Sequence, residues 1–356
     1  MTCDNKASQK LQSIQVLRAV AAILVVAFHA SGNVLKHGWA VAMTTGIGTY
    51  GEFGVDIFFV VSGFVMARTT QNSPQSIEAA KQFILSRISR VAPLYWAATT
   101  LYVLLLLLAP RMFGAATFNL PHVIASYAFI PWRNPLGQPG PVLNVGWTLN
   151  YEMWFYLVYA GLICVTRHRV IAISVLFCAS SFLSALGLSN VVFQTYASPI
   201  VLEFVFGAIV GSLYSRGFHL SMSSAAALFA TAVGVLAACG EHVDNVNRFA
   251  LFGIPAALFV ASCVAAEESI RWPDLMHKVG DASYSLYLTH VFTVPISVKL
   301  FAAIDVHHRI PGTIVCATGV LLSICVGLAC YRGLEKPLGR MLRNSASTRH
   351  RTLSTG

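Results

Sequence analysis

The sequence predicts an all-α, polytopic membrane protein with about ten transmembrane helices. Two observations lead to this fold class. Only 11% of the 356 residues are charged and 56% are hydrophobic, whereas soluble domains carry about 25% charged residues. Apolar segments of about 18 residues or more, the length that spans a bilayer, also recur along the whole chain. A soluble domain with a single membrane anchor is excluded, because the deficit of charge extends over the full length.

The predicted spans lie at 12–32, 52–69, 91–109, 146–166, 170–188, 197–215, 221–240, 249–267, 282–301 and 312–333. The first span lacks the basic start, short apolar core and small-residue cleavage site of a removable signal peptide, so we expect a permanent helix. The expected organisation is a cytoplasmic N-terminal segment at 1–11, an integral membrane domain at 12–338, and a basic, disordered cytoplasmic tail at 339–356.

The distribution of basic residues predicts the orientation of these spans. If the N-terminus is cytoplasmic, 18 of the 24 Lys and Arg residues fall on the cytoplasmic side, which agrees with the positive-inside rule. Both termini are then cytoplasmic. This topology accounts for the net charge of +10, so we expect the lipid bilayer, and not a nucleic acid, as the partner of the basic residues.

The eight cysteines do not indicate a metal centre. They are scattered, without a C-x-x-C pair and without the spacing of His and Cys ligands. We therefore expect neither a disulfide framework nor a zinc site, and no metal cofactor.

Four ionisable residues inside predicted spans are the first candidates for a site. They are His29, Asp56, Glu152 and Glu203, and counting from the span ends places all four in the outer third of the membrane. Ionisable groups buried there are costly and mark functional sites. We predict that His29 is a general base oriented by Asp56 or Glu152, with Glu203 as a candidate substrate contact. The alternative is that these residues only join helices by hydrogen bonds.

Three arginines indicate a second site near the cytoplasmic side. Arg87 and Arg90 are three residues apart and so lie on one face of a helix, and Arg18 begins the first span eleven residues before His29. Arginine is well shaped for bidentate contacts with phosphate. We predict that these residues bind a phosphorylated donor, and the alternative is ordinary positive-inside anchoring of the helices.

Three further runs supply candidate contacts for a substrate or a developing oxyanion. Ser62 precedes Gly63, which permits the close approach of a helix or a ligand. Trp147 begins a run of aromatic and polar residues that suits a sugar or an acyl chain. Tyr287 and His290 lie three residues apart in the ninth span and share one helix face.

Four motifs, taken in order, resemble those of the acyltransferase-3 family of integral membrane acyltransferases. They are Arg18 with His29, Gly54–Phe59 through Ser62-Gly63-Phe64, Arg87 and Arg90 before Pro93, and Ser283-Tyr284-Ser285 through His290. The resemblance covers about residues 12–340, and the ending Glu335-Lys336-Pro337 is also similar. The segment Gly146–Glu152 most resembles the branch that O-acetylates bacterial exopolysaccharides.

The resemblance implies a multi-pass O-acyltransferase of the bacterial cytoplasmic (inner) membrane. It implies acetyl-CoA as the cytoplasmic acyl donor and an extracytoplasmic carbohydrate, either exopolysaccharide or a lipid-linked repeat unit, as the acceptor. By analogy His29 and Arg18 are essential, and Arg87 and Arg90 serve the donor. A direct transfer and an acyl-histidine relay are both compatible with the sequence, with or without a separate extracytoplasmic protein.

Two other classes of function fit the same features. A transporter of lipid-linked sugars or acyl groups would use the buried charges as a proton relay, and an assembly protein of a polysaccharide export complex would use them only for packing. Within the enzyme class, succinyl-CoA as donor or a small molecule as acceptor are the alternatives.

Overall fold

The computed structural model describes residues 10–40, 50–110, 117–184, 190–218, 220–239, 242–305, 307 and 309–342. Within these ranges the regular structure is helical, apart from an isolated antiparallel bridge between Arg133 and Pro139. The all-α fold class is therefore confirmed. Residues 1–9 of the expected N-terminal segment and 343–356 of the expected tail lie outside the described residues.

The α-helices are, in chain order, α1 Gln12–Lys36, α2 Phe53–Thr70, α3 Ile77–Leu108, α4 Leu120–Tyr127, α5 Trp147–Val165, α6 Arg169–Ser184, α7 Val191–Tyr196, α8 Leu202–Ser215, α9 Met222–Cys239, α10 Ile254–Ala265, α11 Asp274–Asp281, α12 Ser283–Ile304 and α13 Gly312–Cys330. Short 3-10 turns precede α5 and α8, and π-helical turns at Phe249–Gly253 and Tyr331–Glu335 precede α10 and follow α13.

Every predicted span corresponds to a helical segment, but fewer than ten have the length and composition to cross a membrane. Among the described residues seven do, and they are Gln12–Lys36, Phe53–Thr70, Ile77–Leu108, Val191–Ser215, Met222–Cys239, Ser283–Ile304 and Gly312–Leu342. Two shorter apolar helices, Arg169–Ser184 and Phe249–Ala265, occupy two more predicted positions, and α5 occupies the last. The structure thus supports several membrane-spanning helices without confirming the count of ten.

The start of α1 is held by a residue distant in sequence. Its N-cap position, Leu11, has no side chain that can accept a hydrogen bond. The carboxylate of Glu267 accepts from the backbone N–H groups of Gln12 and Ser13 instead, at 2.7 and 2.8 Å. The first N–H groups of a helix need such acceptors and attract negative charge. This contact fixes the end of α1 that carries Arg18 against the end of α10.

Hydrogen bonds gather several helix connections at one end of the bundle, where α1 begins and α2 ends. Gln71 donates to the Ser215 carbonyl at 3.2 Å, and Gln75 donates to the Val165 carbonyl at 2.7 Å. Arg169 is buried and donates to the carbonyl of Thr70, the last residue of α2, and to that of Ser73 in the loop that follows. We call this end of the bundle the basic end. It collects the connections that the charge distribution assigns to one side of the membrane.

Glycines allow α2 to pack unusually close to its neighbours. A Cβ on Gly63 of α2 would collide with the Phe204 carbonyl, and a Cβ on Gly207 of α8 would collide with the Val60 carbonyl. Such small residues let helix backbones approach within a membrane. Of the two partners predicted to approach Gly63 closely, a helix or a ligand, the structure shows a helix, α8.

The start of α2 lies beside the middle of α1. A Cβ on Gly54 would collide with the carbonyl oxygen of Ala21. With a rise of 1.5 Å per residue, Ala21 lies about 22 Å along the helix axis from Lys36, the last residue of α1. Residues at the start of α2 therefore lie deeper in the bundle than counting from a membrane surface indicates.

Candidate functional site

A cavity of about 1570 Å³ extends from the basic end into the bundle. Its lining includes Lys10 and Leu342 at the basic end, and it reaches Thr148 and Tyr287 in the interior. Pockets for drug-sized ligands occupy about 300–1,000 Å³, so this cavity is large enough for a longer molecule.

The three arginines predicted to bind a phosphorylated donor line this one cavity. Arg18 comes from α1, whereas Arg87 and Arg90 come from α3. The Arg87 guanidinium lies 5.7 Å from the centre of the Phe83 ring, and its buried Nε has no hydrogen-bond partner in the described part of the chain. The lining also contains the basic residues Lys10, Arg68 and Lys336 and the acidic residues Asp281 and Glu335. The basic residues suit a ligand that carries several phosphates.

A polar cluster formed by Ser62, Glu152 and Tyr156 also lines the cavity. The hydroxyl of Ser62 donates to Glu152 Oε1 at 3.2 Å and lies 3.2 Å from the Tyr156 hydroxyl. Tyr156, four residues after Glu152 on α5, donates a short hydrogen bond to the same carboxylate oxygen. The prediction that Glu152 orients His29 is therefore corrected, since its hydrogen bonds go to Ser62 and Tyr156.

Aromatic side chains close the inner end of the cavity. Tyr287 packs edge-on against Phe58, with 6.0 Å between ring centres. The Tyr287 hydroxyl donates to the Val145 carbonyl at 2.8 Å and lies 2.8 Å from the Thr148 hydroxyl. Its proton is therefore already engaged, which does not favour the predicted role of Tyr287 as an oxyanion donor.

A pair of histidines lies beyond this aromatic layer. The ring centres of His29 on α1 and His290 on α12 are 4.9 Å apart, and the His290 ring centre is 5.8 Å from that of Tyr287. His29 Nδ1 lies 2.9 Å from the Val25 carbonyl. A carbonyl only accepts, so Nδ1 carries the proton and neutral His29 has its lone pair on Nε2. The backbone of α1 thus selects the tautomer that a general base requires.

Asp56 and Glu203 belong to a different cluster, and the prediction that Asp56 orients His29 is wrong. Arg248 donates to both Asp56 oxygens, at 2.9 and 2.8 Å, and to Glu52 at 2.7 Å. Asp56 and Glu203 are each 0% exposed. The physical reason is the depth of α2, whose first turn lies beside the middle of α1 and away from His29.

Three residues of these clusters were not predicted. Arg248 lies directly before the apolar segment at 249–267, and an arginine at that position, in a chain with intramembrane carboxylates, was a usable signal. Tyr156 is four residues from Glu152, a spacing that places both on one helix face. Glu335, which accepts from Ser285 at 2.5 Å, was noted only as part of a terminal motif. Trp147 was predicted to contact substrate, and its ring packs against Tyr151, with 5.8 Å between centres.

The class of protein follows from the fold and these clusters. A helical bundle with several membrane-spanning segments, a large basic cavity and a histidine with an available lone pair has the parts of a membrane-bound transferase. Comparison with known proteins gives the family, because the acyltransferase domain model of the acyltransferase-3 family matches residues 11–332. The chain belongs to this family and is an acyltransferase.

Relatives in the same comparison are similar over much of the chain. The exopolysaccharide production protein ExoZ of Rhizobium meliloti (strain 1021) is 36% identical over 301 residues, which cover 82% of this chain and 90% of that protein. The putative membrane-bound transacylase BcsY of Komagataeibacter xylinus is 28% identical, covering 78% of this chain and 72% of the relative. The peptidoglycan O-acetyltransferase OatA of Listeria monocytogenes is 30% identical over 43% of this chain and 24% of its own length. No solved structure matches.

Proposed function

We propose that this acyltransferase moves an acetyl group from acetyl-CoA, bound from the basic end, to a hydroxyl of a carbohydrate reached from the opposite end. The observation that carries the proposal is the continuity of the two sites, since a basic cavity ends one aromatic layer away from the His29 imidazole. The positive-inside rule supports a cytoplasmic location for the basic end. A bacterial inner membrane then separates donor from acceptor.

The acceptor class is supported by the relatives. ExoZ is named for exopolysaccharide production and OatA for O-acetylation of peptidoglycan, and both names imply a carbohydrate. The acceptor proposed here is an exopolysaccharide or its lipid-linked repeat unit. Proteins that assemble such a polysaccharide are the proposed partners of the chain, together with the bilayer.

The donor fits the cavity by charge and by shape. The phosphates of a coenzyme A thioester would contact Arg18, Arg87 and Arg90, because arginine forms bidentate hydrogen bonds with phosphate. The pantetheine arm, which carries amide groups, would pass the polar cluster of Ser62, Glu152 and Tyr156. This arrangement directs the thioester towards the aromatic layer at Phe58 and Tyr287.

His29 supplies the base. Its Nε2 takes the proton from the acceptor hydroxyl while that oxygen forms a bond to the thioester carbon. The carbon–sulfur bond breaks, and the proton is returned to the departing thiolate. A positioned general base contributes about 10²- to 10⁴-fold in rate. The Nδ1 hydrogen bond to Val25 keeps the ring in the required tautomer throughout.

The test is transfer of labelled acetyl from acetyl-CoA to glycan in membranes that contain the wild type, His29→Ala or His37→Ala at matched protein levels. His37 is the matched control, because its Nδ1 also lies 2.9 Å from a carbonyl four residues back on α1. We expect labelling with the wild type and His37→Ala, and loss of at least about 100-fold with His29→Ala. Equal labelling by all three proteins would remove His29 from the chemistry, and no labelling by any would reject acetyl-CoA as donor.

A further inference from the structure

A second imidazole occupies the place beside His29 where the sequence predicts a carboxylate. His290 is 0% exposed, and its ring is tilted by 58° to the His29 ring at a centre-to-centre distance of 4.9 Å. The two residues come from α1 and α12, so their contact is formed by the tertiary fold and could not arise from spacing within one helix.

Both ring nitrogens of His290 lack a hydrogen-bond partner within the described part of the chain. The carbonyls of Leu286 and Tyr287 lie one turn back, but neither has normal hydrogen-bond geometry to the ring. By contrast, the hydroxyl of Thr293, one turn further along α12, is paired with that of Ser323 on α13 at 2.6 Å. A buried polar group without a partner is unfavourable, because it has given up its hydrogen bonds to water without replacement. Such a group calls for an explanation, and a catalytic role is one of the recognised ones.

The carboxylates that could have assisted His29 are engaged elsewhere. Both oxygens of Asp56 accept from Arg248, and the Oε1 of Glu152 accepts from Ser62 and Tyr156.

Two charged groups lie within electrostatic range of the His29 ring. They are Glu52, which precedes α2, and Lys36 at the end of α1. Glu52 is itself paired with Arg248 at 2.7 Å, and Lys36 has the same sign as a protonated imidazole. From α12, the titratable group that contacts His29 is His290.

We propose that His290 is a positioning residue that shares the proton which His29 takes from the acceptor hydroxyl. This inference rests on the proposed function. The O–H bond of the acceptor breaks and its proton passes to His29 Nε2. The neighbouring His290 ring, whose nitrogens have no partner among the described residues before the reaction, then turns so that one of them accepts a hydrogen bond from this proton. The new O–C bond forms, the C–S bond breaks, and the thiolate takes the proton back from the pair.

Two imidazoles suit this step because they are the same titratable group, with the same ordinary pKa in water. A hydrogen bond from an imidazolium to a neutral imidazole is charge-assisted and therefore strong, and one proton is then held by the pair rather than by either ring. A carboxylate would perform the same task only by placing a permanent negative charge inside the bundle, which is costly in a membrane. The histidine pair is charged only while it holds the proton.

The test compares His290→Asn, which keeps a hydrogen-bond acceptor, with His290→Phe, which keeps only a ring. His37→Asn is the control. In the labelled-acetyl assay we expect a decrease in rate of about 10- to 100-fold for His290→Phe and a smaller decrease for His290→Asn. In both variants the acid limb of the pH–rate profile should move to lower pH, because a single ring releases its proton more readily than a pair. A wild-type rate and profile in both variants would overturn the inference.

A second measurement does not depend on the activity of the variants, and its wild-type part does not depend on their stability. In ¹⁵N-histidine NMR of the purified wild type we expect the two rings to titrate together, and in a folded His290→Asn variant we expect His29 to titrate at lower pH. Independent titration in the wild type, or an unchanged His29 titration in the variant, would overturn proton sharing. A wild type that titrates as a pair but transfers no acetyl would instead reject the proposed function.

Discussion

Replacing Arg248 with alanine should be among the most destabilising single changes in this protein. Arg248 makes two hydrogen bonds to Asp56, at 2.9 and 2.8 Å, and its side chain is 10% exposed whereas that of Asp56 is 0% exposed. Removing one partner of a buried ion pair leaves the other charge uncompensated and typically costs about 3–5 kcal/mol. Glu203, which is buried beside Asp56, adds a second acid to the same place.

The assay is thermal unfolding of the detergent-purified protein. A loss of this size should lower Tm by roughly 5–15 °C, whereas the exposed Arg309→Ala variant should leave Tm nearly unchanged. The double variant Arg248→Ala/Asp56→Asn should recover part of the loss, because the remaining carboxylate charge is removed, and the difference measures the coupling between the two residues. A Tm for Arg248→Ala equal to that of Arg309→Ala, or no recovery in the double variant, would refute this reasoning.

Three further predictions concern the packing, the donor and the orientation. Gly207→Ala should destabilise the protein by about 1–3 kcal/mol, because the added Cβ collides with a backbone carbonyl of α2. In the control Gly234→Ala the added Cβ has no neighbour within 4 Å, so Tm should not fall. Equal Tm values for the two variants would contradict the close approach of α2 and α8. Arg87→Ala should raise the KM for acetyl-CoA about 10- to 100-fold, as expected from the loss of charged hydrogen bonds of about 1.5–3 kcal/mol. The rate of transfer from S-acetyl-pantetheine, which has no phosphates, should not change. An equal effect on both donors would argue against phosphate binding. A fluorescent protein that matures only in the cytoplasm should be bright when fused after Leu342, and alkaline phosphatase inserted at 133–139 should be active; the reverse pattern would invert the proposed topology.

The positions of the helices could be predicted from the sequence, because each depends on a local run of apolar residues. Their capacity to span was harder to predict. The segments at α6 and Phe249–Ala265 are short, and α5 is rich in tyrosine and tryptophan. Length and apolarity also say nothing about how far one helix is shifted along another. The shift of α2 along α1 depends on the contact of Gly54 with Ala21, which no periodicity within α2 reveals.

The candidate site was predictable where it depends on a single helix and not where it depends on two. Arg18 and His29 share α1, so their separation follows from helix geometry. The partners of Asp56 and Glu152 depended on helix depth and neighbour order, and both were assigned incorrectly to His29. Only the fold could bring His290 to His29, because the two residues are 261 positions apart in the sequence.

The aromatic contact between Phe58 and Tyr287 has a consequence for the proton permeability of the membrane. On the proposed orientation, water and ions have access to the cavity on one side of these rings, and the histidine pair lies on the other. A continuous hydrated path between the cavity and the histidine pair would let protons cross the membrane and would dissipate the proton gradient across it. While no thioester lies between them, the rings are therefore expected to block the passage of protons, so that small replacements at Phe58 or Tyr287 would make the membrane leaky to protons even without substrate.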